Sequence, residues 1–97
     1  EGLLPDVFAL HQNYPNPFNP ITTIRFDIPE ESRVSIDIYN VMGQKVAEVV
    51  DAHYQPGFYS VNWAGTNMLG GALSSGMYFY RIQAKDFTAV KKLLLVK

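Results

Sequence analysis

Leu10-His11-Gln12-Asn13-Tyr14-Pro15-Asn16-Pro17-Phe18-Asn19-Pro20 sets the frame for the whole chain. Each proline locks its φ at about −65° and pushes the residue before it, Tyr14, Asn16 or Asn19, toward extended conformations, so neither a helix nor a central strand can form here. The asparagines favour turns beside them. A flexible linker would lack aromatic anchors, whereas Leu10, Tyr14 and Phe18 are spaced as if to reach into a core while the backbone runs outside it. The stretch is therefore expected to be a rigid clamp on a folded domain.

Downstream of the clamp the chain alternates with the period of half-buried strands. From Ile21 to Ile28, Ile24, Phe26 and Ile28 share one side and Thr23, Arg25 and Asp27 the other; from Arg33 to Tyr39, Val34, Ile36 and Ile38 face inward. The connection Pro29 to Ser32 is expected to join these two as an antiparallel pair. Asn40 to Gly43 suits a type I turn leading into a strand from Gln44 to Val50, and the polar Asp51 to Pro56 separates it from the next. Gly57 opens a strand with Tyr59, Val61 and Trp63 on one face, and Ala64 to Ser75, with Gly65, Gly70 and Gly71, is the longest loop. Gly76 to Ala84 places Tyr78, Tyr80 and Ile82 on one face, Lys85-Asp86 makes a two-residue turn, and Phe87 to Lys97 is the last strand. Six or seven short strands with regular turn signals and no helical period indicate an all-β, immunoglobulin-like antiparallel β-sandwich, with a closed barrel as the competing architecture. The predicted core is Phe26, Ile36, Ile38, Val61, Trp63, Tyr78, Tyr80 and Ile82.

With 97 residues and 47% hydrophobic content the chain can bury one core and not two. A net charge of −1 with scattered basic residues gives no electrostatic hold on nucleic acid. The absence of cysteine removes disulfides and thiolate metal sites, and no apolar run is long enough to span a membrane as a helix. Residues 1–9, interrupted by Pro5, read as the end of a linker from an upstream domain, with Phe8 docking on the domain edge; residues 10–97 are the domain. A start at Glu1 with no leader-like region points to a piece of a longer protein whose export signal lies elsewhere.

Catalytic constellations are missing from the pattern. His11 and His53 sit far apart in turn-rich segments outside any metal-ligand spacing, Glu30-Glu31 occupies a turn, and Ser74-Ser75-Gly76 lacks the flanking glycine of a nucleophile elbow. No catalytic residue, cofactor or metal is assigned. The aromatic set offers a different chemistry: Tyr39, Phe58 and Phe79 lie opposite their strands' main apolar sets, and a sugar-binding or adhesive module of a secreted enzyme is the alternative reading.

His11 to Pro20 followed by Thr22-Thr23-Ile24, then Tyr39-Asn40-Val41-Met42-Gly43-Gln44-Lys45-Val46, Ser75-Gly76-Met77-Tyr78-Phe79-Tyr80-Arg81 and Lys91-Lys92-Leu93-Leu94-Leu95-Val96-Lys97, occur in the order of a known family. Over about residues 10 to 97 the chain resembles the type A C-terminal sorting domain of type IX secretion. That resemblance implies a non-catalytic, immunoglobulin-like domain at the end of secreted and cell-surface proteins of Bacteroidetes and related bacteria. It further implies delivery via the periplasm, the outer-membrane type IX machinery as partner and a cargo domain upstream in the same polypeptide; a monomer is expected. Tyr14, Pro15, Asn16, Pro17, Phe18, Asn19, Pro20, Gly43, Trp63, Gly76 and Tyr78 are its structural motif residues. The family commonly has Asp after the Trp where this chain has Ala64, which argues against a carboxylate-rich calcium loop.

The run Lys91-Lys92-Leu93-Leu94-Leu95-Val96-Lys97 carries three of the eight basic residues. By itself it reads as an edge strand guarded by lysines. The resemblance implies that it presents the domain to the translocation machine, with the strand edge pairing to a partner's main chain and the lysines setting register.

Overall fold

Alternating apolar residues that cannot bury themselves on one sheet are buried between two. In the computed structural model, which describes residues 3–97, seven strands run in the order β1 (Ala9–Leu10), β2 (Thr22–Ile28), β3 (Ser32–Tyr39), β4 (Lys45–Tyr54), β5 (Gly57–Trp63), β6 (Gly76–Ala84) and β7 (Phe87–Leu95). They form a three-stranded sheet, β1-β2-β5, and a four-stranded sheet, β4-β3-β6-β7, with every pair antiparallel. The sandwich is thus all-β, and the described residues contain no helix long and apolar enough to cross a membrane.

The strand faces agree with the alternation: Ile24, Phe26 and Ile28 from β2, Val34, Ile36 and Ile38 from β3, and Tyr78, Tyr80 and Ile82 from β6 are buried. Each contributes roughly 1.5–3 kcal/mol relative to exposure. Val61 is only half-buried, because β5 is an edge strand whose inner side chains meet fewer neighbours than those of β2. Strand pairing departs from the sequence reading. β2 and β3 do not pair; Pro29 to Glu31 carries the chain from one sheet to the other, so β2 finds β5 and β3 finds β4 and β6. The strand predicted to stop at Val50 continues to Tyr54, since residues 51–54 pair with Ser32 to Ser35 even though their side chains are largely exposed. β7 ends at Leu95, two residues short of the expected end.

The registers collect strand ends at two poles. Thr22, Tyr39, Lys45, Trp63, Gly76 and Leu95 lie at one, and Ile28, Ser32, Tyr54, Gly57, Ala84 and Phe87 at the other. The N-terminal segment lies at the second pole, where Phe8 stacks on Phe87 with ring centroids 5.5 Å apart and Ala9 pairs with Asp27 in β2. The part of the linker reading that concerns Glu1 and Gly2 lies outside the described residues. The molecule measures 37 × 24 × 20 Å.

Candidate functional site

The clamp at residues 10–20 is placed by main-chain bonds on both sides. Tyr14 exchanges N–H and C=O with Thr23 (3.0 and 2.9 Å), while Phe18 N–H donates to Leu94 O and Val96 N–H donates to Phe18 O, both at 3.0 Å. It therefore ties the first residues of β2 to the last of β7, bridging the two sheets at one pole. Phe18 is 1% exposed and its ring lies 5.7 Å from that of Trp63. Leu10 is buried as expected, but Tyr14 is not an anchor: it is 78% exposed. Its backbone pairs with Thr23 and its ring turns to solvent, and the inward position goes to Asn13.

Asn13 is buried because its polar groups are answered. Its N–H donates to the Tyr80 hydroxyl (2.8 Å), and its Nδ2 donates to Thr22 Oγ1 (2.9 Å) and Pro15 O (3.2 Å). Tyr80 in turn donates to His11 O at 2.6 Å, and Thr22 Oγ1 to Pro15 O at 2.8 Å. Burial pushes the Tyr80 phenol up to about 12, with the Asn13 N–H pulling weakly the other way. Sequence spacing gives no signal for this network, whose members come from the clamp, β2 and β6. A buried polar group closed in this way stabilises, whereas one left open costs about 1–3 kcal/mol.

The remaining motif residues have separable tasks. Gly43 (φ 81°) closes the β3–β4 turn by donating to Asn40 O at 3.0 Å, while Asn40 Oδ1 accepts from the N–H groups of Met42 and Gln44. Trp63 Nε1 donates to Thr66 O and the Tyr78 hydroxyl to Ser74 O, so both rings fill the core and fasten the 64–75 loop. Gly76 begins β6 opposite Leu95. Gly65 is a packing residue with no signal in the local sequence pattern; at φ 69° a Cβ there would come within 3.3 Å of Leu95 and 3.7 Å of Phe18. Pro15, Asn16, Pro17, Asn19 and Pro20 lie exposed along the outer rim of the clamp.

In the C-terminal run, Leu93 and Leu95 face the core and Lys92, Leu94, Val96 and Lys97 face solvent, with Lys91 half-buried. The main chain here is already engaged: besides the two bonds with Phe18, Leu94 N–H donates to Asn16 Oδ1 (2.9 Å) and Gln12 Nε2 donates to Lys92 O (2.7 Å). Among the described residues no ion pair involves Lys91, Lys92 or Lys97.

The two histidines stand apart, His11 beside Asp27 (3.0 Å) and His53 beside the exposed Glu31. The His53 hydrogen bond and charge hold the Glu31 carboxyl below the usual range. No cluster of three metal-ligating side chains occurs among the described residues. Tyr39 and Phe79 are register partners on the outer face of the four-stranded sheet, but Phe58 belongs to the other sheet, so the three do not share a face on which to stack sugars.

Residues 12–97 match the model of the secretion system C-terminal sorting domain. The chain belongs to that family, and its role is that of a type IX C-terminal sorting domain, which is itself non-catalytic and marks a secreted or cell-surface protein. The fold is shared with dimeric latent PorU from Porphyromonas gingivalis, at TM-score 0.76 and 23% identity over 99% of this chain and 10% of that one. It is also shared with PorZ, a surface component of the type-IX secretion system of the same organism, at TM-score 0.59 and 16% identity over 95% and 12%. The chain thus spans about a tenth of the length of each. No curated protein sequence matches it.

Proposed function

We propose that residues 10–97 deliver an upstream cargo domain of the same polypeptide, entering from residues 1–9, and that the outer-membrane type IX machinery recognises the domain in the periplasm through the surface carrying Lys91 to Lys97. The observation that supports this reading is polarity. The N-terminal segment lies against Phe87 at one pole, while residues 14–20 of the clamp and residues 95–97 lie at the other, so a cargo and a receptor engage opposite ends without competing. Three lysines in seven residues supply a positive field where encounter with a negatively charged partner is steered. The domain works as a monomer in this scheme.

The test is a reporter carried ahead of residues 1–97, behind a signal peptide, in a bacterium with type IX secretion. The reporter is expected outside the outer membrane. Retention in the periplasm of a strain that exports its own cargo, while a native sorting domain delivers the same reporter, overturns the proposal.

A further inference from the structure

The bonds of Leu94 to the clamp fix which way the β7 main chain faces. Leu94 points both its N–H and its C=O away from β6, and alternate residues of a strand do the same, so the outward groups of the run belong to Lys92, Leu94 and Val96. Lys92 O, both groups of Leu94 and the Val96 N–H are taken by Gln12, Asn16 and Phe18. A partner strand therefore has no continuous row of donors and acceptors to pair with over this run. What the run offers instead is its outward side chains.

Those side chains belong to a larger surface. Across the outer face of the four-stranded sheet, Tyr39 sits opposite Phe79, Phe79 opposite Lys92, Met77 opposite Leu94 and Arg81 opposite Val90. Met77, Val90 and Leu94 are all substantially exposed. Two shallow depressions flank the Phe79–Lys92 pair. One, about 330 Å³, lies between the Asn40–Gly43 turn and Val90 over Tyr39, Phe79 and Arg81; the other, about 280 Å³, lies between Met77, Leu94, Pro17 and Lys92. Each holds one cation. Arg81 lies 5.3 Å over the Tyr39 ring, and its register partner Asp37 is engaged by Lys45 at 3.4 Å instead. Neither Arg81 nor Lys92 forms an ion pair with a carboxylate among the described residues.

We infer that this outer face, and not the edge of β7, is where the sorting domain meets the export machinery. Its occupant is an extended acidic segment of that machinery, which places one aliphatic side chain in each depression and its carboxylates on Arg81 and Lys92. The inference rests on the sorting reading above and assigns it a surface. An apolar floor supplies the contact area, and two unpaired cations select a negatively charged partner and reject a basic one. Tyr39, Met77, Phe79, Arg81 and Val90 thereby acquire a recognition role that the C-terminal run alone does not describe.

The experiment uses residues 1–97 behind an exported reporter and compares the parent with Arg81→Glu combined with Val90→Ser, neither of which lies in the C-terminal run. The double variant is expected to lose export roughly tenfold, the size of one good charged contact, with an unfolding midpoint near the parent's. Arg81→Lys is expected to keep export. If the double variant proves unstable, Arg81→Gln and Val90→Ser singly carry the same comparison. Parental export from all of them overturns the assignment of the face while leaving the sorting role intact; failure of the parent itself overturns both. In solution, a synthetic peptide alternating glutamate and leucine should shift the amide resonances of Tyr39, Phe79, Arg81, Val90, Lys92 and Leu94, and a lysine-leucine peptide should not. Equal shifts from both peptides count against the inference. So does binding of the parent to phosphatidylglycerol vesicles that the double variant loses, which would make the occupant a lipid surface.

Discussion

The clamp at residues 10–20 and the loop at 64–75 meet at the same pole, and both are irregular and rich in turn residues, yet one is core and the tip of the other is surface. The clamp buries Leu10, Asn13 and Phe18 and bonds its main chain to β2 and β7. The loop is held mostly by itself: Asn67 Oδ1 accepts from the N–H groups of Leu69 and Gly71, and Asn67 N–H donates to Gly71 O. Its tip leaves Leu69 97% exposed. Irregular backbone can be part of a core when strands answer its polar groups; where it answers only itself, it stays outside.

The sharpest way to break this contrast is Phe18→Ala, which should destabilise the domain by about 3–5 kcal/mol. Chemical denaturation measures it, and Trp63 emission should move to the red as its neighbouring ring disappears. An unchanged midpoint would reduce the clamp to a linker. Tyr80→Phe comes next, leaving Asn13 N–H and His11 O without the hydroxyl, at about 1–3 kcal/mol near neutral pH. The same hydroxyl predicts an alkaline signature. Because the folded phenol ionises at about 12 and the unfolded one near the usual tyrosine value of about 10, the unfolded state loses its proton first. Stability from this group is complete below pH 10 and falls as the pH rises toward 12, by at most about 2–3 kcal/mol. Denaturant midpoints across that window should fall for the parent and fall less for Tyr80→Phe.

Asn67→Ala sharpens the other half. It removes two exposed hydrogen bonds internal to the loop and should cost about 0.5–1 kcal/mol; a cost equal to that of Phe18→Ala would erase the distinction. The smallest effect on stability is expected from Lys92→Glu with Lys97→Glu, both exposed, at about 0.5 kcal/mol or less in all. That variant should nonetheless be exported poorly, as measured by reporter reaching the medium. Parental export would leave the lysines as edge guards only.

Side-chain facing was legible in the sequence, and so were the β3–β4 and β6–β7 hairpins with their turns, but where the chain crosses between sheets was not. Alternation identifies Ile24, Phe26 and Ile28 as one face, but a period of two is the same whichever strand lies alongside, and so the step from β2 to β3 read as a hairpin when it crosses between sheets. Prolines at 15, 17 and 20 marked the clamp's backbone without fixing which side chains turn inward. Size favoured Tyr14 over Asn13; hydrogen bonding decided for Asn13, through partners on β2 and β6. The C-terminal run was legible as a basic edge strand. That its outward main chain is occupied follows from Gln12, Asn16 and Phe18, and no local pattern points across such a span.

That span has a consequence for biosynthesis. Asn16 and Leu94 stand 78 positions apart and are bonded in the finished domain, and Phe18 bonds on either side of Leu95. As the ribosome delivers the chain, the clamp emerges early and has nowhere to seat until β7 follows, because the long-range pairings must wait for both ends. A polypeptide released before Leu94 therefore cannot close its sandwich. The fold acts as a receipt for a domain translated in full: only a chain made through to β7 can seat the clamp and close the two sheets on each other.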